Sequence, residues 1–87
     1  MLNELLSHEQ GHYDIGETFA LDLKNTITGF CFDKNRYKAQ ADSIFRSMNQ
    51  YYDSLQRKYD IDTDHMRNKK AQSAWKSTIA SMLEDKL

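Results

Sequence analysis

Apolar residues recur along this chain with a period near 3.6, and nothing alternates with period two for long, so the pattern predicts helices and no strand. Leu2, Leu5, Leu6, Ile15, Phe19 and Leu23 form one stripe, which predicts a first helix over about Asn3 to Lys24. The stretch Asn25-Thr26-Ile27-Thr28-Gly29 interrupts it with β-branched residues and a glycine suited to a helix end. Ala41, Ile44, Phe45, Met48, Tyr52, Leu55 and Tyr59 give a second stripe, predicting a helix over about 34–59 with Asp33 as N-cap. On its outer side, Asp42 with Arg46 and Asp53 with Arg57 have i,i+4 spacing, worth a few tenths of a kcal/mol each. An acidic link, Asp60 to Asp64, precedes a third helix over about 65–85. Thr63 or Asp64 is its expected cap, and Ala71, Trp75, Ile79 and Met82 or Leu83 form its buried side. The expected fold is therefore all-α, a three-helix unit forming a single domain over residues 1–87.

Composition narrows the function classes. A chain of 87 residues buries only about 60–65% of its unfolded surface, so a bound metal would matter to its stability. Twelve Lys and Arg against thirteen Asp and Glu leave no basic stripe for nucleic acid. No apolar run approaches membrane-spanning length, and the N-terminus is too short and too acidic for a signal peptide. The single cysteine, Cys31, excludes an internal disulfide framework. Set between Phe30 and Phe32, it is expected to be a buried or half-buried free thiol.

The chemistry concentrates in His8-Glu9-Gln10-Gly11-His12. On a helix, residues 8 and 12 project from one face about a turn apart, and two neutral imidazoles so placed can hold one Zn²⁺. Glu9 sits one residue round the helix, where its carboxylate can act as general base in hydrolysis without being a ligand. Gly11 weakens a helix by about 1 kcal/mol relative to Ala, which is easier to accept where another group comes close. Such a site needs a third protein ligand and an open position. Glu17 is rotated off the metal-facing side, Glu84 is near the chain end, and the sixth position after His12 is Thr18 rather than a histidine. That leaves His65, or one of Asp60, Asp62 and Asp64; with the motif, His65 is preferred.

The string His8-Glu9-Gln10-Gly11-His12-Tyr13-Asp14-Ile15 resembles a bacterial family of secreted zinc-dependent proteases catalogued as domain of unknown function 922 (DUF922). Tyr59-Asp60, Thr63, His65, Gln72 and Trp75 resemble its second signature, so the likeness covers most of the chain. The resemblance implies zincin-like peptide-bond hydrolysis of a peptide or protein substrate, in a secreted or periplasmic setting. It implies His8 and His12 as zinc ligands, Glu9 as catalytic base, His65 as third ligand, and Tyr59 as a group assisting the oxyanion or else a core aromatic. Zincins place a β-sheet before the motif helix, whereas here the motif begins at residue 8. The chain is thus expected to correspond to the helical half of such a domain: a C-terminal portion, a shortened product or a relict. An apolar face left uncovered by a sheet would favour a homo-oligomer. Three readings compete: a zinc metallopeptidase-like domain, a non-catalytic helical module in which metal only clamps helices one and three, and a metal-free helical oligomer. The first is taken for the family and the second for turnover by this chain alone.

Overall fold

A computed structural model describes residues 2–87 as three helices, α1 (Leu2–Gly29), α2 (Tyr37–Asp62) and α3 (Lys69–Lys86), with no strand among the described residues. The all-α, three-helix expectation therefore holds. α1 is the spine: it packs against α2 on one flank and α3 on the other, while α2 and α3 touch each other little. The molecule is elongated, 53 × 22 × 17 Å.

The apolar core is small. Ile15, Tyr52, Tyr59 and Ile79 are buried, with Phe19, Met48, Leu55, Trp75 and Met82 packed around them. Tyr52 stacks on Phe19 with centroids 5.0 Å apart, and its hydroxyl donates to Asp22 Oδ2 at 2.7 Å. Three polar side chains share the interior: His8, Thr18 and Thr63. Both threonines satisfy themselves on the preceding turn, Thr18 Oγ1 donating to the Asp14 carbonyl at 2.8 Å and Thr63 Oγ1 to the Tyr59 carbonyl at 2.7 Å. This back-bonding is how a hydroxyl survives burial in a helix.

Helix ends differ from the sequence reading for local reasons. α1 continues through the β-branched residues to Gly29. Asn25 Nδ2 donates to the Lys86 carbonyl at 3.1 Å, so the end of α3 holds this stretch helical against its weak propensity. Gly29 has no positive φ and so forms no left-handed cap. Asp33 organises the turn before α2 instead of capping it. Its Oδ1 accepts from the Asn35 amide at 2.7 Å, while its own amide donates to Gln40 Oε1 at 2.8 Å. Arg36 occupies the N-cap position.

α2 runs on to Asp62, carrying Asp60 on a helix rather than in a link. Thr63, proposed as a start of α3, instead closes α2, and Asn68 caps α3 by accepting from the Ala71 amide at 3.0 Å. Between them Asp64, His65 and Met66 all take positive φ (50°, 50° and 88°), at a cost of roughly 1–2 kcal/mol per residue. The turn is bridged by His65 N–H to the Asp60 carbonyl at 3.0 Å and Asn68 N–H to the Thr63 carbonyl at 2.9 Å.

Three burial expectations fail. Cys31 is exposed, because it lies in the irregular segment between α1 and α2. Leu2, Leu5 and Leu6 of the first stripe are also exposed, and so is Phe45 of the second. The outer ion pairs form as expected, Asp42–Arg46 and Asp53–Arg57 each at 2.9 Å.

Candidate metal centre

His8 and His12 lie one turn apart on the buried side of α1, where α2 crosses them at Gln56, Tyr59 and Asp60. His8 is almost fully buried and its ring stacks flat on Tyr59 at 4.6 Å, tilted by 13°. His12 meets the same tyrosine edge-on at 4.9 Å and is partly open. Gly11 explains how a tyrosine fits there. A Cβ at residue 11 would stand 2.6 Å from Tyr59 Cζ and nearer still to its hydroxyl. The close neighbour of Gly11 is thus a side chain from α2.

Two side-chain amides fix the direction of the rings. Gln56 Nε2 donates to the His12 carbonyl at 3.0 Å, which turns its Oε1 toward His12 Nδ1. Gln72 Nε2 donates to the Tyr59 hydroxyl at 2.7 Å, that hydroxyl donates to the His8 carbonyl at 2.9 Å, and Gln72 Oε1 accepts from His8 Nδ1 at 2.9 Å. An amide oxygen only accepts, so each Nδ1 carries the proton, and in the neutral ring each Nε2 is a lone pair.

Both lone pairs point at the same atom. Asp60 Oδ1 is 2.8 Å from His8 Nε2 and 2.6 Å from His12 Nε2. Three acceptors so placed need positive charge among them, either protons on the imidazoles or a metal ion. His8, His12 and Asp60 each offer one ligand atom, all within 4.8 Å of one another. A tetrahedral ion with bonds of about 2.0–2.1 Å would hold its donors about 3.3 Å apart. Asp60 Oδ1 therefore needs to move away from the two Nε2 atoms by about 0.5–0.7 Å, and with a third of its side chain exposed it is free to yield. With protons rather than an ion between the donors, partial burial pushes the Asp60 carboxyl up, but hydrogen bonds from the protonated His12 and His8 rings and their coulombic attraction outweigh it, holding it below the usual carboxylate value. The residues fit a divalent cation.

The other expected site residues fall around this cluster. Glu9 is exposed beside His8, near enough for its charge to act on the Tyr59 phenol. His65 stands outside the cluster. It is 70% exposed at the side chain, with Nδ1 3.9 Å from Asp60 Oδ1, because the left-handed turn carries it over the aspartate rather than into the donor set. Asp60, rather than the His65 preferred from the sequence, completes with His8 and His12 the group that could hold a metal ion. Tyr59 is fully buried with its hydroxyl committed to the His8 carbonyl and Gln72, so no face of it is open to an oxyanion. Burial pushes its phenol up and the Gln72 hydrogen bond only partly offsets this, with Asp60, Glu9 and Asp14 adding to the rise, so it stays a proton donor.

Gln56 went unnoticed in the sequence, although Gln56, Tyr59 and Asp60 share one face of α2 by their i, i+3, i+4 spacing. A polar residue interleaved with the stripe Tyr52, Leu55, Tyr59 was the available signal.

No curated protein and no solved structure matches the chain. The family described as bacterial protein of unknown function matches over residues 1–66, a span that includes His8, His12, Gln56, Tyr59, Asp60 and His65 but not Gln72 or Trp75. The chain belongs to this family, DUF922.

Proposed function

We propose that His8, His12 and Asp60 hold a divalent metal ion, zinc by preference, and that the centre serves hydrolysis of a peptide bond. The observation that carries the metal reading is the convergence of two Nε2 lone pairs and a carboxylate oxygen on one point, with both Nδ1 protons already engaged by glutamines. Two imidazoles and one carboxylate on a helix-borne H-E-x-x-H pattern make a zinc donor set that leaves a position open. When bound, the ion supplies a Lewis acid that polarises a scissile carbonyl and lowers the pKa of water.

The chain's own groups then have distinct tasks. His8, held rigid by burial and by the stack on Tyr59, fixes the position of the centre. Asp60 brings negative charge from a second helix and ties α2 to α1. Glu9, exposed at the edge of the centre, takes the proton of the attacking water and passes it to the leaving amine. Tyr59 positions His8 rather than touching substrate. A peptide or protein substrate, in a secreted or periplasmic setting, is the matching expectation for this chemistry.

Metal content by mass spectrometry tests the first half: near-stoichiometric zinc in wild type, lost in His12→Ala and Asp60→Ala, is the expected result. A peptide-library digest tests the second: cleavage by wild type and none by zinc-loaded Glu9→Gln is expected. Equal cleavage by both would remove Glu9 from the mechanism.

A second reading keeps the metal and drops the hydrolysis. The donors come from two helices, α1 and α2, in a protein with four buried apolar residues among those described, so an ion would clamp a small core. Here the clamp joins helices one and two, not one and three. Tight zinc binding, with a large stability gain and no cleavage of any library peptide, would favour it.

A further inference from the structure

Each histidine of the centre is tied back to its own backbone by one glutamine. Gln56 spans His12 alone, its Oε1 accepting the Nδ1 proton and its Nε2 donating to the carbonyl of the same residue. Gln72 does the same for His8 with Tyr59 interposed: the Nδ1 proton goes to Gln72 Oε1, Gln72 Nε2 to the Tyr59 hydroxyl, and that hydroxyl to the His8 carbonyl. The two loops are equivalent in logic but come from different helices, Gln56 from α2 and Gln72 from α3.

A side-chain amide is suited to this because one end only donates and the other only accepts. The carbonyl at one end orients the amide, and the amide then dictates which ring nitrogen keeps its proton. A ring locked in this way can offer only Nε2, and its orientation is set before any ligand arrives.

We propose that Gln56 and Gln72 are positioning residues that set the metal affinity of the centre, Gln56 through His12 and Gln72 through His8. This rests on the metal reading of His8, His12 and Asp60. It gives α3, which supplies no ligand, control over the centre through a single amide. Residues hydrogen-bonded to ligating histidines typically change metal affinity by about 10–100-fold when removed, and the same is expected here.

The experiment is a zinc titration against a chromophoric chelator, on the full chain, for wild type, Gln56→Leu, Gln72→Leu, Gln56→Glu and Gln72→Glu. Helicity and Trp75 fluorescence report that each variant is folded. The leucine variants should bind zinc about 10–100-fold more weakly. The glutamate variants keep an acceptor for the Nδ1 proton but lose the donor that orients the amide, so they should bind zinc more weakly than wild type and more tightly than the leucine variants.

Downfield proton spectra of metal-free and zinc-loaded protein supply a readout that general loosening would not give. The His8 Nδ1 proton should lose its protection in Gln72→Leu but not in Gln56→Leu, and the His12 proton the reverse. Should the leucine variants not fold, the glutamate variants alone decide: each keeps an acceptor for its own Nδ1 proton, so loss of the His8 proton signal in Gln72→Glu, or of the His12 signal in Gln56→Glu, would overturn the proposal. Unchanged zinc affinity across all four variants, or loss of both protons in either leucine variant, would overturn it while leaving the metal centre standing. No zinc uptake by wild type would overturn the metal reading and this inference with it.

Discussion

Two glycines on α1 should respond in opposite directions to the same substitution. Gly16 faces open space, with nothing within 4 Å of a Cβ built there. Gly16→Ala should therefore show the helix propensity gain alone, about 1 kcal/mol, which is a rise in Tm of about 4–8 °C for a domain of this size. Gly11→Ala carries the same gain but sets a methyl group 2.6 Å from Tyr59 Cζ. Ordinary contact needs nearly an ångström more. Tyr59 has nowhere to retreat, since its ring is stacked on His8 at 4.6 Å and meets Trp75 at 5.6 Å.

Overpacking of this kind costs about 1–3 kcal/mol. Displacing the hydroxyl from the His8 carbonyl and Gln72 costs about 1 kcal/mol more. After the helix gain is subtracted, Gly11→Ala should be less stable than wild type by about 1–3 kcal/mol, a fall of about 5–20 °C. Urea denaturation and thermal melts of both variants, followed by circular dichroism, measure this directly. Zinc affinity should fall in Gly11→Ala as well, because the same tyrosine holds His8. A Gly11→Ala variant stabilised as much as Gly16→Ala would show that Tyr59 does not pack against α1 there, and the positioning of His8 would have to be explained otherwise.

Three further outcomes follow from the same geometry. Zinc at about a hundred times its Kd should stabilise the protein by about 2.7 kcal/mol, seen as a rise in Tm of about 10–20 °C that a chelator reverses; no shift on saturation would mean that the ion does not clamp α1 to α2. His65→Ala should keep zinc affinity within about threefold of wild type, whereas Asp60→Ala should lose it by at least about 100-fold, as measured by chelator competition; the reverse order would restore His65 as the ligand. Asp62 accepts from Lys58 Nζ and Trp75 Nε1, each at 3.1 Å, and the Lys58 hydrogen bond, joined by the Trp75 hydrogen bond and the Lys58 charge, outweighs the opposing desolvation and holds its carboxyl below the usual value. A depressed carboxylate stabilises the fold above its unfolded pKa and loses that contribution as pH falls through the folded one. The Trp75 emission should therefore change below about pH 4, and Asp62→Asn should abolish that step.

The three-helix plan was legible in the chain because period 3.6 reports a buried face wherever one exists. Ile15, Phe19, Tyr52, Tyr59 and Ile79 all lie at positions the stripes mark, and all pack. The same pattern misjudged Leu2, Leu5 and Leu6, because periodicity says which residues share a face and not whether anything covers it. Helix ends were harder. Asn25 is held helical by a carbonyl at the far end of the chain, and no local propensity encodes a contact across that separation. The loss of Thr63 as a start of α3 has a similar origin, since three consecutive left-handed residues postpone the next helix to Lys69.

The centre divides along the same line. The pairing of His8 with His12 was readable because it is set within one turn of one helix. That Asp60 joins them was not, because it depends on where α2 ends. Ending the helix at residue 59 leaves Asp60 in a link, where it is one acidic residue among several and His65 is the more natural ligand. Carrying the helix to Asp62 puts Asp60 one residue after Tyr59 and one turn after Gln56, so that all three meet α1 together. A shift of three residues in one helix end therefore decides between two donor sets. The comparison of Asp60→Ala with His65→Ala is accordingly also a test of how α2 terminates: a protein in which His65 binds the ion would need its exposed ring, now 3.9 Å from Asp60 Oδ1, carried in toward the two Nε2 atoms.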